Sequence, residues 1–188
     1  MTSQVWWFLS RGSGIVAWLM IATTSVWGVA MMTGLLSSAR PAWMLDLHRW
    51  LGALAVITTL VHVCALVPDN YVHFGWTEIL LPQVSRWKTA AVTWGVVALY
   101  VLIIIEGSSL MMKWLPRSLW HSIHLLSYVS FAFVTVHAAL AGTDRANRIY
   151  VGAVIVVISA VIVGVAMRIH KARQRARRSP PGHDVAHA

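Results

Sequence analysis

The sequence predicts an all-α protein, a polytopic membrane bundle of five transmembrane helices. Three observations carry this. Apolar residues make up 58% of the 188-residue chain, and Asp, Glu, Lys and Arg only 11%, against about a quarter in soluble domains. The apolar residues fall in five runs, each close to the ~20 residues a helix needs to cross a ~30 Å hydrocarbon core. No run alternates with period two, which argues against a β-barrel, and none has the polar outer face a soluble bundle requires. An ordinary soluble domain and a disordered chain are excluded together.

The first run is Ile15 to Leu36, inside a stretch from Gly12 to Ala39 without formal charge. It lacks a basic n-region and is too long for a signal-peptide core, so it reads as a retained span. The second, Leu47 to Val67, is interrupted near its start by His48 and Arg49. The third is Thr89 to Ile105. The fourth, Leu119 to Leu140, is uncharged except for histidines. The fifth is Ile149 to Met167. Residues 1–170 are therefore expected to form one membrane domain. From Arg168 the character changes: Arg168, Lys171, Arg173, Arg175, Arg177 and Arg178 precede Ser-Pro-Pro-Gly. Residues 171–188 read as a basic, disordered tail that meets anionic headgroups rather than nucleic acid. No internal repeat is evident.

Charge sets the direction. With the C-terminus inside, Arg40, Arg49, Lys113, Arg117 and the six basic tail residues face the cytoplasm, and Arg11, Arg86, Lys88, Arg145 and Arg148 face out. The positive-inside rule then places the N-terminus outside and the C-terminus in the cytoplasm, the tail deciding the count. The second and fourth spans run the same way, and the longest loop, Pro68 to Lys88, faces outward.

Ionisable residues inside spans are functional candidates. With Arg49 and Glu106 assigned to helix ends, histidines remain: His48 and His62 on the second helix, His121, His124 and His137 on the fourth. His73 lies in the outer loop, and His170, His183 and His187 in the tail. His48 and His62 are fourteen residues apart, roughly 21 Å along one helix face. His124 and His137 are thirteen apart, a similar rise but about 140° around an ideal wheel. Spacing alone does not put them on one face. Depth nevertheless matches: His48 with His124, His62 with His137. Two neutral imidazoles on facing helices in an apolar site suit a six-coordinate haem iron. Zinc would want four clustered ligands, and a proton relay would recruit mid-membrane acids. Each histidine alone could also be a satisfied core residue. The single Cys64 excludes an intramolecular disulfide and a cysteine-ligated cluster, and no C-x-x-C-H is present for covalent haem.

The motifs LDLHRWLGALAVITTLVH and WHSIHLLSYVSFAFVTVHAALAGTD resemble the ferric reductase-like transmembrane superfamily. This group holds the membrane parts of NADPH oxidases and ferric reductases, and the membrane subunit of a methionine-sulfoxide reductase system. The resemblance covers roughly Leu45 to Asp144. HFGWTEILLPQ followed by SRWK resembles the outer loop of actinobacterial members. It implies His48, His62, His124 and His137 as axial ligands of haem b, two non-covalent groups where both sites fill; His121 matches no ligand position. It also implies a multi-pass protein of the bacterial inner membrane. Such a protein moves electrons from a cytoplasmic-side donor, a separate flavoprotein or quinol, to an outer acceptor: ferric chelate, dioxygen, quinone or redox protein. Six-helix members have one further N-terminal span. No G-x-G-x-x-G occurs, so the chain is not expected to take hydride from NADPH itself. Phe131 and Phe133 lie between the two histidine layers. Arg49, Lys113, Arg117, Arg86, Lys88, Arg145 and Arg148 are candidate partners for haem propionates, and His73, Tyr71 and Trp76 for an acceptor site. The rival reading is a haem-binding membrane scaffold or sensor without transmembrane electron transfer.

Overall fold

Among the described residues of the computed structural model six helices follow in order: α1 (Thr2–Thr33), α2 (Ala42–Leu66), α3 (Trp76–Leu80), α4 (Thr89–Leu110), α5 (Arg117–Ala141) and α6 (Arg148–Arg178). Residues 2–33, 41–69, 72–142 and 147–178 are described, and no strand occurs among them. All except α3 are long and apolar enough to cross a membrane. The expected five-span, all-α architecture is what the chain adopts.

The helix ends differ from the apolar runs for identifiable reasons. Pro41 and Pro116 immediately precede α2 and α5, where a missing N–H leaves nothing unpaired and φ is already helical. α2 therefore begins at Ala42 and takes in Asp46, His48 and Arg49. α1 starts at Thr2, well before Ile15, because no breaker stands between Gln4 and Arg11; its 32 residues reach roughly 48 Å, more than the hydrocarbon core alone. α4 runs through Glu106 to Leu110, since a single carboxyl does not interrupt a helix. α6 continues to Arg178 because Arg, Lys, Ala and Gln are good helix formers. The segment expected to be a disordered tail is thus helical from 171 to 178; its remainder, with His183 and His187, lies outside the described residues.

Many hydroxyls within the spans bond back to their own helix, as Ser25 does to the Ile21 carbonyl and Thr59 to that of Ala55, which satisfies them where water is absent. Ser130 Oγ on α5, in contrast, is buried without a partner among the described residues. α1 packs chiefly on α2, and α4 on α5. α1 also touches α5 and α6, whereas α2 and α4 scarcely meet. The result is two helical hairpins facing each other, with α6 against α1. Their shared core is Trp18, Ile21, Ala22, Ala55, Phe131 and Val161. Trp18 Nε1 donates to Thr135 Oγ1 at 3.0 Å, tying α1 to α5. On α6, Arg168 donates to the Tyr128 hydroxyl at 2.9 Å, and Lys171 to the Thr33 carbonyl.

The outside of the bundle is apolar: Leu54, Ile57, Leu60, Ile103, Ile104, Val156 and Ile162 are among the exposed side chains. Each is about half exposed, so holding it in water rather than in an apolar phase costs about 1 kcal/mol, half the value for a whole side chain. A handful of them would match the whole stability of a typical domain, about 5–15 kcal/mol. The solvent this surface fits is a lipid bilayer.

Candidate functional site

The two hairpins bring the four span histidines into two pairs. His48 of α2 faces His124 of α5 with ring centroids 5.9 Å apart and planes at 70°. His62 faces His137 at 6.3 Å and 73°. α2 and α5 therefore run in the same direction, and the pairs lie at two depths.

The His62–His137 pair is held from behind. His62 Nδ1–H donates to the Ser10 carbonyl of α1 at 2.6 Å. His137 Nδ1–H donates to the Ala91 carbonyl of α4 at 2.7 Å. Each ring lies over a glycine one turn further along the same helix. A Cβ on Gly14 would stand 2.9 Å from His62 Nδ1, and one on Gly95 would stand 2.7 Å from His137 Nδ1. Only glycine leaves room for the ring to reach the carbonyl. The first helix of each hairpin thus supplies the same device, a carbonyl at i and a glycine at i+4, to a histidine on the second helix. This is a structural repeat that the sequence reading did not detect.

His137 reaches Ala91 of α4 through Nδ1 while its ring faces His62 of α2, so the thirteen-residue spacing still serves. α5 is helical throughout; the two histidines leave it in different directions and still each meet α2.

The His48–His124 pair is built otherwise. A Cβ on Gly28 of α1 would lie 3.3 Å from His48 Cε1, so a glycine again sits beneath the ring. His124 stacks on Trp120, one turn earlier on its own helix, at 5.2 Å and 22°. The Thr24 carbonyl, one turn before Gly28 on α1, also interacts with His48, a looser form of the same device without the close Nδ1 hydrogen bond of the other pair. The Nδ1 of His124 and the Nε1 of Trp120 are buried and have no hydrogen-bond partner among the described residues. Buried polar atoms are rarely left so.

Both pairs suit a shared metal ion. Two imidazoles bridged by one ion stand about 6 Å apart, centroid to centroid, given metal–nitrogen bonds of ~2.0–2.1 Å. An Nδ1–H committed to a carbonyl also fixes the tautomer with Nε2 as the free lone pair, the usual arrangement behind a ligating histidine. Among the described residues no three His, Cys, Asp or Glu side chains gather as a metal-binding group. A metal held at either pair would have two protein ligands and would need its other positions filled by another molecule, as the iron of haem does.

Comparison with protein families, with curated proteins and with solved structures finds no match to this chain.

An apolar cavity adjoins His62 and His137, lined by Trp7, Trp18, Phe74 and Trp87, with Arg11 among its few charged groups. Between the layers, Phe131 is buried and packs on Trp18 at 6.2 Å, whereas Phe133 packs on Trp94 of α4 at 5.0 Å. The other candidates lie apart. His121 and His73 are exposed; His121 is beside Trp120. Trp76 is exposed, and His170 pairs with Gln174 on α6. Arg49 is paired with Asp46 on the surface at 3.5 Å. Lys113, Arg117, Arg86 and Arg148 are exposed. Lys88 caps α5, its Nζ donating to the Leu140 and Ala141 carbonyls at 3.3 and 3.2 Å. Arg40, Tyr71 and Arg145 lie outside the described residues.

The residues that sequence reasoning missed are Ser10, Gly14, Gly28, Ala91 and Gly95 on the supporting helices, and two cations. Arg11 lines the cavity at the His62–His137 pair. Arg168 reaches Tyr128, one turn beyond His124 on α5.

Proposed function

We propose that the chain is a membrane-embedded b-type cytochrome. In this reading it is an electron-transfer subunit whose His62–His137 and His48–His124 pairs each hold one non-covalent haem b, joining a donor on one side of the membrane to an acceptor on the other. The observation that carries the reading is the pairing itself: four histidines on two parallel helices, in two facing pairs, each with the separation of a bridged bis-imidazole. Bound haem b would supply a reversible one-electron centre at each depth.

The chain's own residues do the rest. The Ser10 and Ala91 carbonyls hold the Nδ1 protons of His62 and His137, which orients the rings and raises the basicity of Nε2. Ala55 stands seven residues from both His48 and His62, so the core of Trp18, Ile21, Ala55 and Phe131 fills the middle layer. That packing excludes water between the pairs. Arg11 and Arg168 are cations placed to meet anionic propionates, which such guanidinium groups bind well. The resemblance of the two histidine motifs to the ferric reductase-like superfamily supports the same function. The basic residues flanking the spans supply the direction, with the C-terminus in the cytoplasm, and the resemblance supplies a flavoprotein or quinol as donor.

Protein reconstituted in liposomes tests this. With an impermeant reductant outside and an impermeant oxidant enclosed, the wild-type chain should reduce the enclosed oxidant. Haem-loaded protein that passes no electrons would leave a haem-binding scaffold in its place.

A further inference from the structure

Glu106 is the only charged side chain of α4, and the electron-carrier reading gives it no task. Its position is not a helix end: α4 continues to Leu110. The carboxyl points at Gly52 of α2, where a Cβ would stand 3.2 Å from Oε1. Gly52 is buried and one turn beyond His48. Among the described residues Glu106 has neither a hydrogen bond nor an ion pair. It lines a cleft between α2 and α4 with Val56, Thr59, Leu99, Leu102 and Ile103. These two helices scarcely meet elsewhere, and Leu60 and Ile103 on the cleft wall are exposed on the lipid-facing surface.

We infer that this cleft is a binding site for a quinone or quinol headgroup, with Glu106 as its hydrogen-bonding partner. A carboxyl in apolar surroundings calls for a polar partner. An acyl chain entering from the bilayer offers none. A flat, apolar ring bearing hydroxyls or carbonyls offers one and travels in the same phase. The ionised carboxyl accepts from a quinol O–H; the protonated carboxyl donates to a quinone carbonyl. Thr59 adds polarity of one kind only: its hydroxyl already donates to the Ala55 carbonyl at 2.7 Å, so it faces the cleft as an acceptor. Val56 and Thr59 lie between His48 and His62 on α2, so a ring bound there is close to both pairs. The inference rests on the electron-carrier reading for what the ligand does, not for whether it binds.

The test is photolabelling of the full chain in lipid nanodiscs with an arylazide-tagged benzoquinone, mapped by peptide mass spectrometry. Label is expected on Val56–Leu60 and Leu99–Gly107, competed by decylubiquinone and not by added phospholipid. Glu106→Leu should cut labelling about tenfold, the weight of one charge-assisted hydrogen bond. Leu60→Trp, which fills the cleft and leaves the carboxyl intact, should do the same and serves if Glu106→Leu misfolds. Label elsewhere, no label, or equal competition by phospholipid overturns the site. The absorbance of the same sample keeps the two readings apart. Red protein without label removes the quinone site alone; colourless protein with label removes the haem reading alone.

Discussion

At the His62–His137 pair each imidazole hangs by Nδ1 from a carbonyl of a neighbouring helix and rests on a glycine, Ser10 with Gly14 and Ala91 with Gly95. At the His48–His124 pair Thr24 and Gly28 repeat the device at His48 without a close Nδ1 hydrogen bond, and His124 has an indole against its ring and no partner for its Nδ1. The residue type and the depth spacing are the same. What differs is how far the orientation of each ring is settled by the protein before any ligand arrives. A hydrogen-bonded Nδ1 fixes the tautomer and aims Nε2; an unpartnered one leaves both open. The first pair is preorganised, and the second is less so.

The largest expected effect breaks the pairing outright. His62→Ala or His137→Ala should remove one haem and lower transmembrane electron transfer in liposomes to background, read as the rate of reduction of an enclosed oxidant. Next come the supports of the preorganised pair. Gly95→Ala and Gly14→Ala insert a methyl where the ring has no room, and haem retention during dialysis against apomyoglobin should fall about 10- to 100-fold, the usual cost of a lost outer-shell partner. Gly28→Ala has a few tenths of an ångström more space and should cost clearly less. A Gly28 variant as damaging as Gly95→Ala would contradict the difference between the pairs.

The difference itself predicts an order of release. On partial haem depletion the His48–His124 pair should empty first, by about tenfold in rate, seen by comparing His48→Ala with His62→Ala: the haem left in His48→Ala should be the slow one. The smallest effect lies outside both pairs. Arg49→Ala removes an exposed ion pair with Asp46 and should change thermal unfolding by less than about 1 kcal/mol without altering the haem spectrum.

Much of this was legible in the sequence, and the reason is solvent. A lipid phase forces apolar runs of fixed length, so five spans could be counted, and it makes any span histidine conspicuous. His48 and His62 followed from helix rise alone. The thirteen-residue step from His124 to His137 did not, because a wheel assumes that side chains leave the helix radially, and His137 reaches Ala91 through Nδ1 while its ring faces His62. The carbonyl-and-glycine device was invisible for a related reason. A carbonyl belongs to every residue, so only Gly14 and Gly95 mark it, and a lone glycine in a span reads as ordinary packing. Glu106 was set aside as a helix end because the apolar run stopped at Ile105, whereas the backbone has no cause to stop there. The charge of the basic stretch reads as a tail, although arginine and lysine also extend a helix readily.

The most direct test of the central claim is haem stoichiometry in the purified full chain. Reduced-minus-oxidised spectra and pyridine haemochrome should show low-spin b-type haem in the wild type, two per chain at full loading. A single-pair variant at either depth, His48→Ala or His62→Ala, should hold one. A colourless preparation from haem-replete cells, or a haem content that none of the four histidines alters, would contradict the account.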